Sequence, residues 1–291
     1  MNQKDNHVFL SSRGLLIALG TAVLLMILGS FLDYPISMAL YNESNPFGMF
    51  LAAYGEYPAM LGFLAAGVLL IAGHNQSKKL VGVLQCIGGG LLAVLGTLGA
   101  AVLPTNYLTW PGGVIAVIGL ICCAAVIVCM VRLAKNASRE AMIRVAATLF
   151  FVAFAEMLLI NIVKIPWGRA RMRLVANDPR AYFMPWWQTG SALKDTLGAA
   201  GVAAEEFKSF PSGHTGNAAV LILLGLLPQL DSRLEKKKPL LLGIGFGWTA
   251  LVAFSRIIMG AHYLTDTTIG FTITLLVSCL VTKLVYRQKT A

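Results

Sequence analysis

Charge is scarce in this chain. Only 12% of its 291 residues are Asp, Glu, Lys or Arg, whereas 57% are hydrophobic and the mean hydropathy is +0.73. A soluble domain of this length carries about 25% charged and 45–50% apolar residues. A single soluble core is therefore excluded, because the excess is gathered in runs of membrane-spanning length. Acidic residues are the scarcer sign, 13 against 23 Lys and Arg, giving a net charge of +10. In a soluble protein that surplus would raise nucleic acid as a partner. Here the basic residues sit mostly in short segments between apolar runs, so nucleic acid is not expected and the surplus reads as a topology signal.

Cysteine is sparse as well. Cys86, Cys122, Cys123, Cys129 and Cys279 all fall inside apolar runs, and no pair has the spacing and histidine company of a zinc site. Neither a disulfide framework nor a metal site is implied; small residues packed among helices is the simpler reading. Internal repeats and low-complexity tracts are lacking. So is a cleavable signal: residues 14–32 are too long for its apolar region and have no small-residue cleavage site before Asp33, which makes them a retained first span.

What is present is a set of long apolar runs. A hydrocarbon core about 30 Å thick needs roughly 20 apolar residues in a helix. Eight segments meet that length or nearly so: 14–32, 50–73, 80–103, 111–133, 143–163, 213–230, 239–258 and 267–286. The expected fold is an all-α, polytopic transmembrane bundle of about eight spans. Glu56 and Pro58 interrupt the start of the second span, so its first turns read equally as an interfacial helix. Gly88 to Gly90 and the Gly243/Gly247 pair suit close helix packing.

Counting basic residues by side assigns an orientation. With the N-terminus in the cytoplasm, 15 of the 23 fall in cytoplasmic segments: Lys4, Arg13, Lys78, Lys79, Arg132, Lys135, Arg139, Arg144, Arg233, Lys236 to Lys238, Lys283, Arg287 and Lys289. Loops 33–49 and 104–110 hold none. The other eight, Lys164, Arg169, Arg171, Arg173, Arg180, Lys194, Lys208 and Arg256, lie in two outer segments. Positive charge kept outside against the usual bias calls for a local reason such as an anionic ligand. Both termini are thus expected in the cytoplasm of a cell-membrane protein, with those clusters on the extracytoplasmic side.

Three clusters share that outer side. The first is Lys164-Ile-Pro-Trp-Gly-Arg-Ala-Arg171, ending span five. The second, Pro211-Ser212-Gly213-His214, opens span six. The third, between spans seven and eight, is Ser255-Arg256, five residues, His262, three residues and Asp266. Lys164, Arg171 and Arg256 supply three cations, beside two histidines, a carboxylate and a Ser-Gly turn, the inventory needed to bind a phosphate and cleave its ester. Arg forks bind two phosphoryl oxygens at once. Ser212 and the Gly213 amide, leading into a helix N-terminus, offer further donors to an anion.

In content and order these clusters resemble the signature of the type 2 phosphatidic acid phosphatase (PAP2) superfamily: K-x6-RP, PSGH and SR-x5-H-x3-D. The likeness covers about residues 145–286, and divides the chain into an N-terminal membrane region of about four spans, 1–142, and a catalytic membrane region, 143–291. The second and third motifs are complete; in the first, Met172 stands where the family usually has Pro, and Arg169 and Arg173 offer neighbouring registers. The resemblance implies a hydrolase acting on a phosphorylated lipid without metal or other cofactor. In it His262 attacks phosphorus and Asp266 accepts a hydrogen bond from the other ring nitrogen of His262. His214 protonates the leaving group, and Lys164, Arg171, Arg256, Ser212 and Gly213 stabilise the transferring phosphoryl group. A lipid phosphotransferase would share the covalent half-reaction. A transporter would need polar spans, broken helix pairs or inverted repeats, which the apolar first four spans lack.

Other residues have duller readings. His7 and His74 read as interfacial. Glu156, inside span five, is either functional or a helix–helix hydrogen bond. Phe183-Met-Pro-Trp-Trp187 reads first as an interfacial anchor and second as a wall for lipid access.

Overall fold

The computed structural model describes residues 9–287; Lys4, His7 and Lys289 lie outside the described residues. Those residues form helices and connecting loops, with no strand among them. Seven helical runs among them are long and apolar enough to cross a membrane. The helices are α1 (Ser12–Leu40), α2 (Pro46–Tyr54), α3 (Tyr57–Ala72), α4 (Lys79–Val102), α5 (Gly112–Ala134), α6 (Arg139–Trp167), α7 (Met172–Asn177), α8 (Ser191–Ala199), α9 (Gly213–Ala219), α10 (Lys238–Ile258) and α11 (Leu264–Val285). Their apolar side chains, such as Leu16, Phe31, Leu91 and Ile121, stay largely exposed on α1, α4 and α5, the surface that acyl chains cover.

Local chemistry sets the boundaries. Ser11 caps α1 and Ser138 caps α6, each accepting an amide hydrogen bond three residues on, which satisfies one of the orphan donors at a helix start. Helix α6 stops at Gly168, whose φ of +68° is the left-handed cap that glycine adopts without strain. The break expected at Glu56 is real: Gly55 and Glu56 separate α2 from α3.

The segment expected as span six differs from a simple helix. Residues 213–219 are α-helical, but Val220–Gln229 continue as a 3₁₀ helix. A 3₁₀ turn rises about 2.0 Å per residue instead of 1.5 Å, so this short run still reaches roughly 30 Å, the thickness of the apolar layer. It is the centre of the bundle, packed by α3, α6, α10 and α11, with Ala218, Ala219, Ile222, Leu223 and Leu226 buried.

Glycines let backbones meet, though not all of those expected. A β-carbon on Gly89 would lie 2.8 Å from the Gly67 carbonyl oxygen, so α3 and α4 touch there. Gly90, Gly243 and Gly247 have open space around them, which corrects the GxxxG expectation. Gly245, between the latter two, is the contact: a β-carbon there would lie 2.7 Å from the Ile222 backbone. The face of α10 that meets the central element is two residues out of the sequence-predicted register.

Candidate active site

The three clusters meet at one end of the bundle. Lys164 lies in the last turn of α6 and Ser212 is the N-cap of α9. Gly213 presents its open side to Lys164, whose Nζ is 3.5 Å from where a β-carbon would sit. Arg256 occupies the last turn of α10. The chain then turns through Gly260 (φ +60°), with Ala261 and His262 amides donating to the Arg256 carbonyl at 3.1 and 3.2 Å. Asp266 is in the first turn of α11, where its Oδ2 accepts the Tyr263 amide at 2.9 Å, a carboxylate closing onto its own helix start. The Ser212 amide donates to the Asp266 carbonyl at 2.9 Å, joining the second and third clusters.

His262 is 1% exposed. Its Nδ1 faces the Ser209 backbone carbonyl. A carbonyl only accepts, so Nδ1 carries the proton and Nε2 keeps its lone pair. The expected direct hydrogen bond to Asp266 is not made, since Nδ1 and Oδ2 are 3.9 Å apart. Asp266 is saturated instead by Arg169 Nη1, Ser209 Oγ and the Tyr263 amide. It acts on His262 at one remove, by fixing the strand of chain that bears the Ser209 carbonyl. Burial, followed by the charges of Lys164, Arg171, Arg256 and His214, holds the His262 imidazole well below the ordinary histidine range. The ring is therefore neutral near pH 7.

The register of the first cluster is settled by partners. Arg169 is fully buried and donates to the Met184 carbonyl, Thr265 Oγ1, Asp266 Oδ1 and Asp33 Oδ2. Its guanidinium lies 4.2 Å from the Tyr263 ring centroid and 5.4 Å from that of Phe183, so it is a scaffold residue. Arg173 makes a two-pronged pair with Glu206. Arg171, like Lys164 and Arg256, is close enough to act electrostatically on both histidines. It pairs with Glu205 through Nη2, while its buried Nε has no hydrogen-bond partner among the described residues. Burial would raise the Glu205 carboxyl, but Arg171 and Lys208 outweigh it and hold it below its usual value. Arg256 is 2% exposed, and its Nε and Nη1 are likewise unpartnered. Ser212 Oγ accepts from the Thr215 amide at 3.3 Å and from Thr215 Oγ1 at 3.0 Å, so it caps α9 and keeps only its own proton to donate.

His214 begins α9, with Nε2 buried and without a hydrogen-bond partner among the described residues. Its Nδ1 faces Glu56 Oε1 at 3.5 Å, and the Tyr107 ring meets it edge-on at 5.4 Å. In the sequence Glu56 marks only an interruption of an apolar run, and nothing there ties Asp33, Tyr107 or Ser209 to the site. For the two carboxylates a signal was present: each is a lone acid at the edge of an apolar run in a chain with 13 acids in all. Ser209 acts through its backbone and leaves no mark on residue type.

Two further readings are altered. Glu156 is fully buried, and among the described residues neither carboxylate oxygen has a hydrogen-bond partner, so no helix–helix hydrogen bond is made there. In the 183–187 segment, Phe183 packs on Tyr263, and Trp186 lies against Phe210 and donates to Ser30 Oγ at 3.0 Å. These side chains buttress the site, leaving Trp187 about half exposed. Among the described residues no three His, Cys, Asp or Glu side chains gather as metal ligands would.

Comparison with known families gives one match: the family described as the PAP2 superfamily, over residues 145–290. No curated protein and no solved structure matches the chain significantly. The matched stretch holds all three clusters, whereas Asp33, Glu56 and Tyr107 lie outside it.

Proposed function

The chain belongs to the PAP2 superfamily and is a multi-pass membrane protein with the helices of a phosphatase-type lipid enzyme, and from this we propose that it hydrolyses a lipid-linked phosphate monoester or pyrophosphate through a phosphohistidine on His262. The observation that carries the reading is the convergence of Lys164, Arg171 and Arg256 on two histidines, one with Nε2 free of protein partners and one with its tautomer set for attack.

In this reading the phosphoryl oxygens take up the unpartnered guanidinium donors of Arg171 and Arg256, the ammonium of Lys164 and the amides at the start of α9. These groups are fixed in place before substrate arrives, which is where electrostatic stabilisation is strongest. The lone pair of His262 Nε2 attacks phosphorus as the bond to the leaving oxygen breaks, and His214 Nε2 gives its proton to that oxygen. Water then loses a proton to His214 and attacks the phosphohistidine. The P–N bond breaks, free phosphate departs, and both imidazoles return to their starting states. The three cations supply the charge neutralisation, so no metal is called for.

A lipid substrate is supported by an apolar cavity of about 570 Å³ whose lining includes Tyr54, Tyr57, Trp110, Val126, Met130 and Leu227. Its lining comes from α2, α3, α5, α6, the 3₁₀ segment and α10, and Tyr54 and Tyr57 flank Gly55 and Glu56 in the chain. The basic-residue count supports a site on the extracytoplasmic face.

The deciding test is phosphate release by the purified protein. The panel is phosphatidate, phosphatidylglycerol phosphate, diacylglycerol pyrophosphate, undecaprenyl pyrophosphate and a lipid A phosphate, each with EDTA present. Turnover of at least one is expected, lost in Lys164→Ala and Arg256→Ala. No release from any lipid phosphate would contradict the proposal.

A further inference from the structure

The site is finished by residues from outside the family-matched half. Glu56, at the start of α3, sits with Oε1 3.5 Å from His214 Nδ1. Asn217, one turn along α9 from His214, donates Nδ2 to the same oxygen at 2.9 Å. The acid is 18% exposed and the histidine 12%, so neither is freely rotating in water. Tyr107, between α4 and α5, packs edge-on against the His214 ring and lies under the Arg256 guanidinium, 5.7 Å from ring centroid to Cζ.

We propose that Glu56 is the positioning residue for the general acid His214: it directs Nδ1 toward itself, so that Nε2 faces the phosphoryl site, and offsets the surrounding cations so that His214 holds its proton. This rests on the phosphatase reading above and deepens it, by giving the N-terminal half a part in the chemistry. The need is physical. Arg256, Lys164 and Arg171 all act on His214, and three positive charges oppose a fourth. A general acid must nonetheless be protonated when the leaving group departs.

The groups facing the pair are few. His214 meets Glu56 from α3, Arg256 from α10, Lys164 and Arg171 from α6 and the loop after it, His262, Tyr107, and the Ala52 backbone of α2, which accepts a hydrogen bond from the ring. Glu56 meets Asn217, Arg256, Lys164 and, as like charges, Glu205 and Glu156. Glu56 is therefore the carboxylate in contact with the His214 ring, and its pairing is the part played in other enzymes by the acid that orients a histidine. Asn217 holds that carboxylate from the helix that bears His214.

The test uses the full-length protein in detergent, with phosphatidate as the alkoxide-leaving substrate (or another lipid phosphate ester that the panel selects) and p-nitrophenyl phosphate as the activated one. Glu56→Gln keeps size and hydrogen bonding but removes charge. It is expected to lower kcat on the lipid about 10–100-fold, a part of what general acid catalysis contributes, with KM little changed and p-nitrophenyl phosphate turnover affected less. Without the carboxylate His214 loses its proton more readily, so the alkaline limb of the lipid pH–rate profile moves to lower pH. Glu56→Asp, which keeps the charge, restores the limb. Size-exclusion elution and thermal midpoint show that each variant is folded. Wild-type pH limbs in Glu56→Gln, or equal losses on both substrates, would overturn the positioning role while leaving the phosphatase reading intact. A wild-type protein inactive on every lipid would overturn both.

Discussion

A backbone carbonyl, not a carboxylate, sets the tautomer of His262, and that changes what each neighbouring substitution does. Ser209→Ala removes the Oγ–Asp266 hydrogen bond but keeps the carbonyl that faces Nδ1; a bond to a charged carboxylate is worth about 1.5–3 kcal/mol, so the thermal midpoint is expected to fall, with kcat lowered less than in Asp266→Asn because the carbonyl remains. Asp266→Asn disturbs three contacts at once, to Arg169, Ser209 and Tyr263, and is expected to lower both kcat and the thermal midpoint. Steady-state kinetics beside thermal unfolding separates the two; loss of rate in Asp266→Asn with unchanged stability would mean a direct role instead. The depressed imidazole of His262 has its own consequence. Attack needs the neutral ring, and burial with three nearby cations keeps it neutral into more acid solution. The acidic limb of kcat/KM therefore falls below the ordinary histidine value of about 6.5. A limb at or above that value would place His262 in a wetter, less positive setting. The reacting residues were legible because histidines, arginines and an aspartate are rare types in an apolar chain. Ser209 was illegible because its contribution is a main-chain oxygen that any residue carries.

Among the elements, the central α9 and its 3₁₀ continuation decide which glycines matter. Gly245 presses on the Ile222 backbone, whereas Gly243 and Gly247 face open space. Gly245→Ala is expected to lower the thermal midpoint in detergent. Gly243→Ala is expected to leave it unchanged or raise it, since alanine is worth about 0.8–1.0 kcal/mol over glycine inside a helix. Equal effects at both positions would mean that the two helices do not meet there. The long apolar runs and the break at Glu56 were readable from hydropathy and from Gly-Glu-x-Pro. The 3₁₀ stretch was not, because Val-Leu-Ile-Leu-Leu suits a membrane α-helix equally well, and only the packing around it selects the tighter coil.

For the whole molecule, the N-terminal spans are bound to the family-matched half by buried charge. Arg169 pairs with both Asp33 of α1 and Asp266 of α11, all three almost fully buried. Removing one partner of such a pair costs about 3–5 kcal/mol because the other charge is left uncompensated. Arg169→Met is thus expected to unfold at markedly lower temperature even though it touches no reacting group; a wild-type midpoint would show the network to be dispensable. Orientation has a separate check in the exposed positions Asp195 and Glu235. A cysteine at 195 is expected to react with an impermeant thiol reagent on intact cells, and one at 235 only after permeabilisation. The charge count gave that orientation, but no pattern in the sequence linked Asp33 to Arg169 across more than a hundred residues.

The most direct measurement is of the covalent intermediate itself. Protein mixed briefly with ³²P-labelled lipid phosphate is quenched in alkali, where phosphohistidine survives, and the labelled residue is mapped by mass spectrometry. Label on His262 in the wild type is expected, with none in His262→Ala. In His214→Ala label should accumulate from an activated phosphate, because the base that resolves the intermediate is gone. Phosphohistidine persisting in His262→Ala, or hydrolysis in the wild type with no labelled histidine at any quench time, would contradict the nucleophile assigned to this site.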